Sequence, residues 1–135
     1  MSHQDESYHG LDYEISRCIG LEKQAHQNLD RPISENFMIA SYELGNASKD
    51  LIYACGDSGK DVAIHHTLAC TELGDLICQA LIAFGKLRLH SKTYKDMSPE
   101  DFILEGMHRQ QEHMEGLQKK GGACFVHNIE WRPES

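Results

Sequence analysis

Glu43, Asn46 and Asp50, in the stretch "SYELGNASKD", are spaced three and four apart, so a helix would stack them on one face. In "TELGD", Glu72 and Asp75 are likewise three apart. Between the two stretches lies "CGDSGKD", a glycine-containing break suited to closing an antiparallel helical hairpin. Glu43 stands as far before Gly59 as Asp75 stands after it, and Asn46 and Glu72 are matched in the same way. The two polar pairs are therefore expected to meet at equal heights across the hairpin. Three acids and an amide crowded between helices repel one another and resist burial, at several kcal/mol per uncompensated ion. A divalent cation would remove that penalty. An all-oxygen donor set with no converging histidine or thiolate predicts Mg²⁺, with Mn²⁺ as the substitute, held by Glu43, Asn46, Glu72 and Asp75. Such an ion neutralises phosphate charge and lowers the pKa of an attacking water, which is the chemistry of phosphoryl transfer. Asp50, one turn beyond Asn46, is placed to act as a further ligand or as a base that orients the water. The plain alternative for a Glu-x-x-Asp turn is a solvated helix face.

Other groups carry weaker chemistry. Lys49, Lys60, Lys119 and Lys120 are candidates for phosphate contacts, although the last two also suit a helix C-terminus. His65 and His66 lie about two turns before Glu72, where a ligand or base role competes with an ordinary helix-surface or interface role. His66 and Cys70 are one turn apart, but zinc needs two more ligands at a recognisable spacing. Glu105 with His108, and Glu6 with His9, reproduce the Glu-x-x-His of di-iron bundles without the bridging acids. Tyr42, Tyr53 and Trp131 could stack a base, with core or interface packing as the default.

The elements that must position these residues read as helices. Three prolines, at 32, 99 and 133, fall between or at the edges of periodic segments. A first helix is expected over about 5–29, with Leu11, Ile15, Cys18 and Ile19 on one face. A second runs from near Ser34, with Phe37, Ala40, Leu44, Ala47 and Leu51 at helical spacing. The third, about 61–90, carries Leu68, Leu73, Leu76, Ala80, Leu81, Phe84 and Leu87, and is predicted to be the longest and most buried. The fourth opens at "SPED", with Ser98 as N-cap, Pro99 at the first helical position and Asp101 closing the capping box, and it ends at "KKGG". The tail "ACFVHNIEW" is expected to be irregular or a short strand. This is an all-α chain, a bundle of four helices in one domain over residues 1–135.

Charge bounds the partners. The chain has 135 residues, 13 basic and 21 acidic, for a formal charge of -8. That balance excludes nucleic acid and anionic membrane surfaces as bare partners, and a polyanionic substrate would need a metal. No apolar run is expected to approach the roughly 18 residues of a membrane span, and "MSHQDESYHG" lacks the basic and apolar regions of a signal peptide. A cytoplasmic location is expected. Five cysteines without a Cys-x-x-Cys pair read as reduced core or near-core residues.

At its acidic residues the chain resembles the MazG-like, all-α nucleoside triphosphate pyrophosphohydrolases. That family shows Glu-Glu-x-x-Glu on one helix and, after a hairpin, Glu-x-x-Asp on the next. Here "YELGN" at 42–46 and "ELGD" at 72–75 stand in those places, and the resemblance spans about 35–120, including "HMEGLQKKGG". It implies a MazG-like bundle and Mg²⁺-dependent cleavage of a nucleoside or deoxynucleoside triphosphate between its α and β phosphates, releasing the monophosphate and pyrophosphate. It also implies a homodimer or homotetramer with sites near subunit contacts, and lysines such as Lys49, Lys119 and Lys120 near the phosphates. Tyr42 stands where the first acid is usual, and Asn46 replaces the last acid of the first motif. With less negative charge the site would hold Mg²⁺ less tightly. The alternative is a catalytically weakened relative that binds nucleotides, or a partner, without turnover.

Overall fold

The computed structural model describes residues 10–55 and 61–119. Four helices follow one another: α1 (Gly10–Ala25), α2 (Ile33–Ala54), α3 (Val62–Leu87) and α4 (Pro99–Lys119), with a 3₁₀ turn at Arg88–His90. No strand occurs among the described residues, and the C-terminal tail expected to be irregular or strand-like lies outside them. The chain divides into two compact units, Met1–Pro99 and Glu100–Ser135.

In the first unit α2 and α3 pack against each other as an antiparallel hairpin. Asp61 starts α3 by accepting a hydrogen bond from the Ile64 amide at 3.1 Å, which satisfies one of the orphan donors of the first turn. Along the seam, polar residues recur every seven positions: Asn36, Glu43 and Asp50 on α2, and His65, Glu72, Gln79 and Lys86 on α3. Between them run small or aliphatic residues, Ala40, Ala47 and Ala54 on one helix and Ala69, Leu76 and Ala83 on the other. Ala47, Ala54 and Ala83 are buried. Alanines bring the two backbones close and leave the intervening space to the polar side chains.

α1 crosses α3 on one side of this hairpin. A Cβ at Gly85 would lie 2.6 Å from Ile15 Cγ2 and 3.3 Å from Ile19 Cδ1, so the close approach of the two helices depends on glycine there. After α1 the chain turns through two successive left-handed residues, Gln27 (φ 57) and Asn28 (φ 68). The Asn28 amide closes that turn on the Lys23 carbonyl at 2.8 Å. Arg88 ties the far end together, donating to Asp12 at 2.6 Å and to the Met97 carbonyl at 2.8 Å while lying over the Phe84 ring.

The centre of the three-helix junction is polar. Asn36 is fully buried, at 0% exposure. Its amide donates to Glu22 Oε2 at 2.8 Å and to Gln79 Oε1 at 3.0 Å, and its carbonyl accepts from Lys86 Nζ at 2.6 Å. Lys86 spends its other donors on Glu22 Oε1 at 2.8 Å and the Arg31 carbonyl at 3.1 Å. Each buried donor in this node meets an acceptor, which is the condition under which buried charge is tolerated.

Two expectations are corrected. α3 is the longest helix, but its burial is concentrated at Ile82, Ala83 and Phe84, whereas Leu73 and Ile77 are 45% and 55% exposed. Cys18, Cys55, Cys70 and Cys78 are exposed rather than core residues. Helical spacing identifies an apolar face, but it does not say which face meets a neighbour. Val62–His90 also has the length and mean hydropathy, 1.4, of a membrane-crossing helix, with 17% of that window buried.

α4, which belongs to the second unit from Glu100 on, begins at Pro99 as expected, with Glu100 and Asp101 in its first turn and Lys119 in its last, matching the helix dipole. Leu117 is buried, while Leu104, Met107 and Met114 are exposed.

Replacing Lys86 by Met should cost roughly 3 kcal/mol, because it leaves the buried Glu22 carboxylate with only the longer Arg31 contact at 3.4 Å and Asn36 Oδ1 without its donor. Adding Glu22→Gln should recover part of that loss. Urea denaturation midpoints of the single and double variants measure both effects.

Candidate functional site

Near the turn end of the hairpin the polar seam changes character. Asp50, only 6% exposed, lies between His65 and Glu72 and interacts with both. His65 Nδ1 is 2.7 Å from Asp50 Oδ1, and Glu72 and Asp50 are joined by a hydrogen bond between their carboxyl groups. Two carboxyls can bond in this way only if one keeps its proton. Here Glu72 is the donor and Asp50 the ionised acceptor. The Tyr53 ring meets His65 edge-on at 5.0 Å between centroids.

The electrostatics follow from that geometry. The hydrogen bond to Asp50, loss of water, and the negative charges of Asp50 and Glu43 push the Glu72 carboxyl up to about 7, with Lys49 pulling the other way. Asp50 is held below the usual carboxylate range by the hydrogen bonds from Glu72 and His65, in that order, with His65 and Lys49 adding favourable charge. A carboxylic acid that exchanges its proton near neutral pH, beside an ionised partner, is a competent acid–base pair. When His65 donates from Nδ1, Asp50 fixes its tautomer and leaves Nε2 as the basic nitrogen.

The structure thus brings together Glu43, Lys49, Asp50 and Glu72 of the residues singled out from sequence. Asn46 and Asp75 lie three positions beyond Glu43 and Glu72, and so on one flank of the seam. Asn46 is half-buried and Asp75 exposed. Tyr42, Lys49 and Tyr53 share that flank by the same spacing. Lys119 is exposed on α4, and Lys60 and Lys120 lie outside the described residues. His65 is the residue whose place sequence reasoning undervalued. The signal was its distance of seven from Glu72, the same step that separates Glu43 from Asp50.

The donors match Mg²⁺ in chemistry, since all are oxygens. Among the described residues no group of three or more His, Cys, Asp or Glu side chains is set to hold a metal. At the opposite end of the seam, a cavity of about 440 Å³ is bordered by Ile19, Glu22, Arg31, Ile33, Lys86 and Leu89. The Glu22 and Lys86 charges there are already matched to each other, so the reactive end of the seam is the one beside the turn.

Because the Glu72 carboxyl lies above its ordinary value of 4.5, the folded chain holds a proton that the unfolded chain releases. The resulting stabilisation is fully present below pH about 4.5 and is lost as pH rises through about 7. Thermal melts between pH 5 and pH 8 should show a falling midpoint that Glu72→Gln flattens. No known protein family, characterised protein or solved structure matches this chain.

Proposed function

We propose that this protein is a nucleoside triphosphate pyrophosphohydrolase built on a MazG-like four-helix bundle, acting in the cytoplasm on a nucleoside or deoxynucleoside triphosphate as a homodimer or homotetramer. One observation carries the reading. Glu43 and Glu72, which stand at two of the positions where the resemblance puts the family's acids, interact with each other, and Asp50, one turn beyond Asn46, shares a proton with Glu72. Mg²⁺, or Mn²⁺ in its place, belongs to the substrate as the counter-ion of its phosphates. Glu43, Asn46, Glu72 and Asp75 are the oxygen donors that would face it.

In the reaction a water oxygen bonds to the α-phosphorus, the bond from that phosphorus to the α–β bridging oxygen breaks, and pyrophosphate leaves with the electron pair. The proton of the attacking water must be taken up near neutral pH. Asp50, backed by His65, would orient that water by accepting its hydrogen bond while the proton passes to the departing pyrophosphate, and protonated Glu72 limits the repulsion that three ionised acids would direct at a polyphosphate. Lys49 would attract the phosphate chain, and the resemblance offers Lys119 and Lys120 as further candidates. Tyr42 and Tyr53, on the flank of Asn46 and Asp75, offer aromatic surface to a base.

A second reading, nucleotide binding without turnover, draws on Asn46 in place of an acid and on the missing three-donor group. Incubation with each common nucleotide and Mg²⁺ separates the two. The hydrolase releases pyrophosphate, at a rate that Asp50→Asn and Asp75→Ala each reduce by about 10²-fold or more. A binder shows a nucleotide-dependent rise in melting temperature without product. Neither signal would sink both readings.

A further inference from the structure

The cavity at the far end of the polar seam belongs to the first unit alone, since every residue that borders it precedes Pro99. Its volume of about 440 Å³ is that of a small-molecule site. Ile19, Ile33 and Leu89 give it apolar walls. Most of the charges beside those walls are spent. Lys86 gives its donors to Glu22, Asn36 and the Arg31 carbonyl. Glu22 receives Lys86 on one oxygen and Asn36 on the other, and Asp30 Oδ1 lies 3.8 Å from Lys23 Nζ. Arg31 differs. Its Nε donates to His26 Nε2 at 3.1 Å and its Nη1 reaches Glu22 only at 3.4 Å, while Nη2 has no partner among the described residues. The outer edge of the guanidinium is left with donors to give. The arginine is also held in place. Its carbonyl is tied to Lys86 at 3.1 Å, and Pro32 follows it with a fixed φ of -60° at the entry to α2.

We propose that this cavity binds a small apolar monocarboxylate, an aromatic or branched aliphatic acid, with its carboxylate on Arg31 and its hydrocarbon against Ile19, Ile33 and Leu89. A fixed, forked guanidinium at the edge of an apolar hollow matches a planar carboxylate carried on a hydrocarbon body. A cationic guest finds no acid to meet it, because Glu22 already holds Lys86 and Asp30 is drawn to Lys23. A phosphate chain would ask for several donors, and one arginine edge is what remains. The site is also separate from the acids beside the turn. Lys86 stands 14 residues after Glu72, which sets the cavity about 21 Å along α3 from them at 1.5 Å per residue. Its charges are matched to one another, so the guest is bound there and not transformed. Nothing in this assignment depends on the hydrolase reading.

The test is a ligand-observed NMR titration of the full-length protein with phenylacetate and isocaproate, set beside phenethyl alcohol and phenethylamine, which keep the aromatic body and change the head, and acetate, which keeps the head alone. At least one of the two acids should bind, with the alcohol weaker than phenylacetate by about tenfold or more and the amine and acetate silent. Arg31→Gln should weaken the acid by about tenfold or more while circular dichroism stays helical. Leu89→Glu leaves the contacts of Arg31 in place but sets a negative charge in the wall, and it should abolish binding. Asp50→Asn, at the other end of the seam, should leave binding unchanged. Silence of both acids, an alcohol or amine that binds as well as the acid, binding that survives both Arg31→Gln and Leu89→Glu, or binding lost in Asp50→Asn would overturn the proposal. The pyrophosphate assay reads the hydrolase proposal separately, so failure of one leaves the other standing.

Discussion

A charged or amide side chain placed between two packed helices must find a partner there, because water cannot reach it. The α2–α3 hairpin answers that constraint with two polar rows that interdigitate. Asn36 lies between Gln79 and Lys86, and Asp50 lies between His65 and Glu72. Alanines at the neighbouring seam positions set the helices close enough for short side chains to meet. Polar rows of this kind also fix alignment, since a slip of one turn would set Asn36 against different partners and strand Lys86.

The two ends of the seam illustrate different uses of the same device. Around Asn36 the donors and acceptors match: a lysine, a glutamate, an amide pair and a backbone carbonyl close on one another. That node is a joint that fastens α1 to the hairpin. Around Asp50 the groups are mismatched, with three acids facing one histidine and one nearby lysine. The mismatch is relieved by retaining a proton on Glu72, and a site that relieves its strain through a mobile proton is one that can do chemistry.

Much of this was legible in the residues. The helical hairpin and its alignment follow from spacing and a glycine-containing break, whereas the expected pairs, Glu43 with Asp75 and Asn46 with Glu72, give way to contacts of Glu72 with Asp50 and Glu43. The alignment is visible in the contacts: His65 and Glu72 flank the position opposite Asp50, as Gln79 and Lys86 flank the one opposite Asn36. What the spacing of three and four did not reveal was the longer step of seven that joins Asn36, Gln79, Lys86 and His65 to the acids. Local pairs advertise one turn of helix, whereas a seam is visible only when both helices are read together. The exposure of the cysteines was hidden for a related reason, since an apolar residue's burial depends on which neighbour arrives.

The step of seven has a mechanical consequence. A straight α-helix, at 3.6 residues per turn, falls behind a strict seven-residue repeat by about 20° per repeat. From His65 to Lys86 the row spans three repeats, so an unbent pair would carry its last rung about 60° away from its first. Keeping both ends in the seam therefore requires α2 and α3 to wind about each other in a shallow left-handed superhelix. Any companion laid along them would inherit that curl.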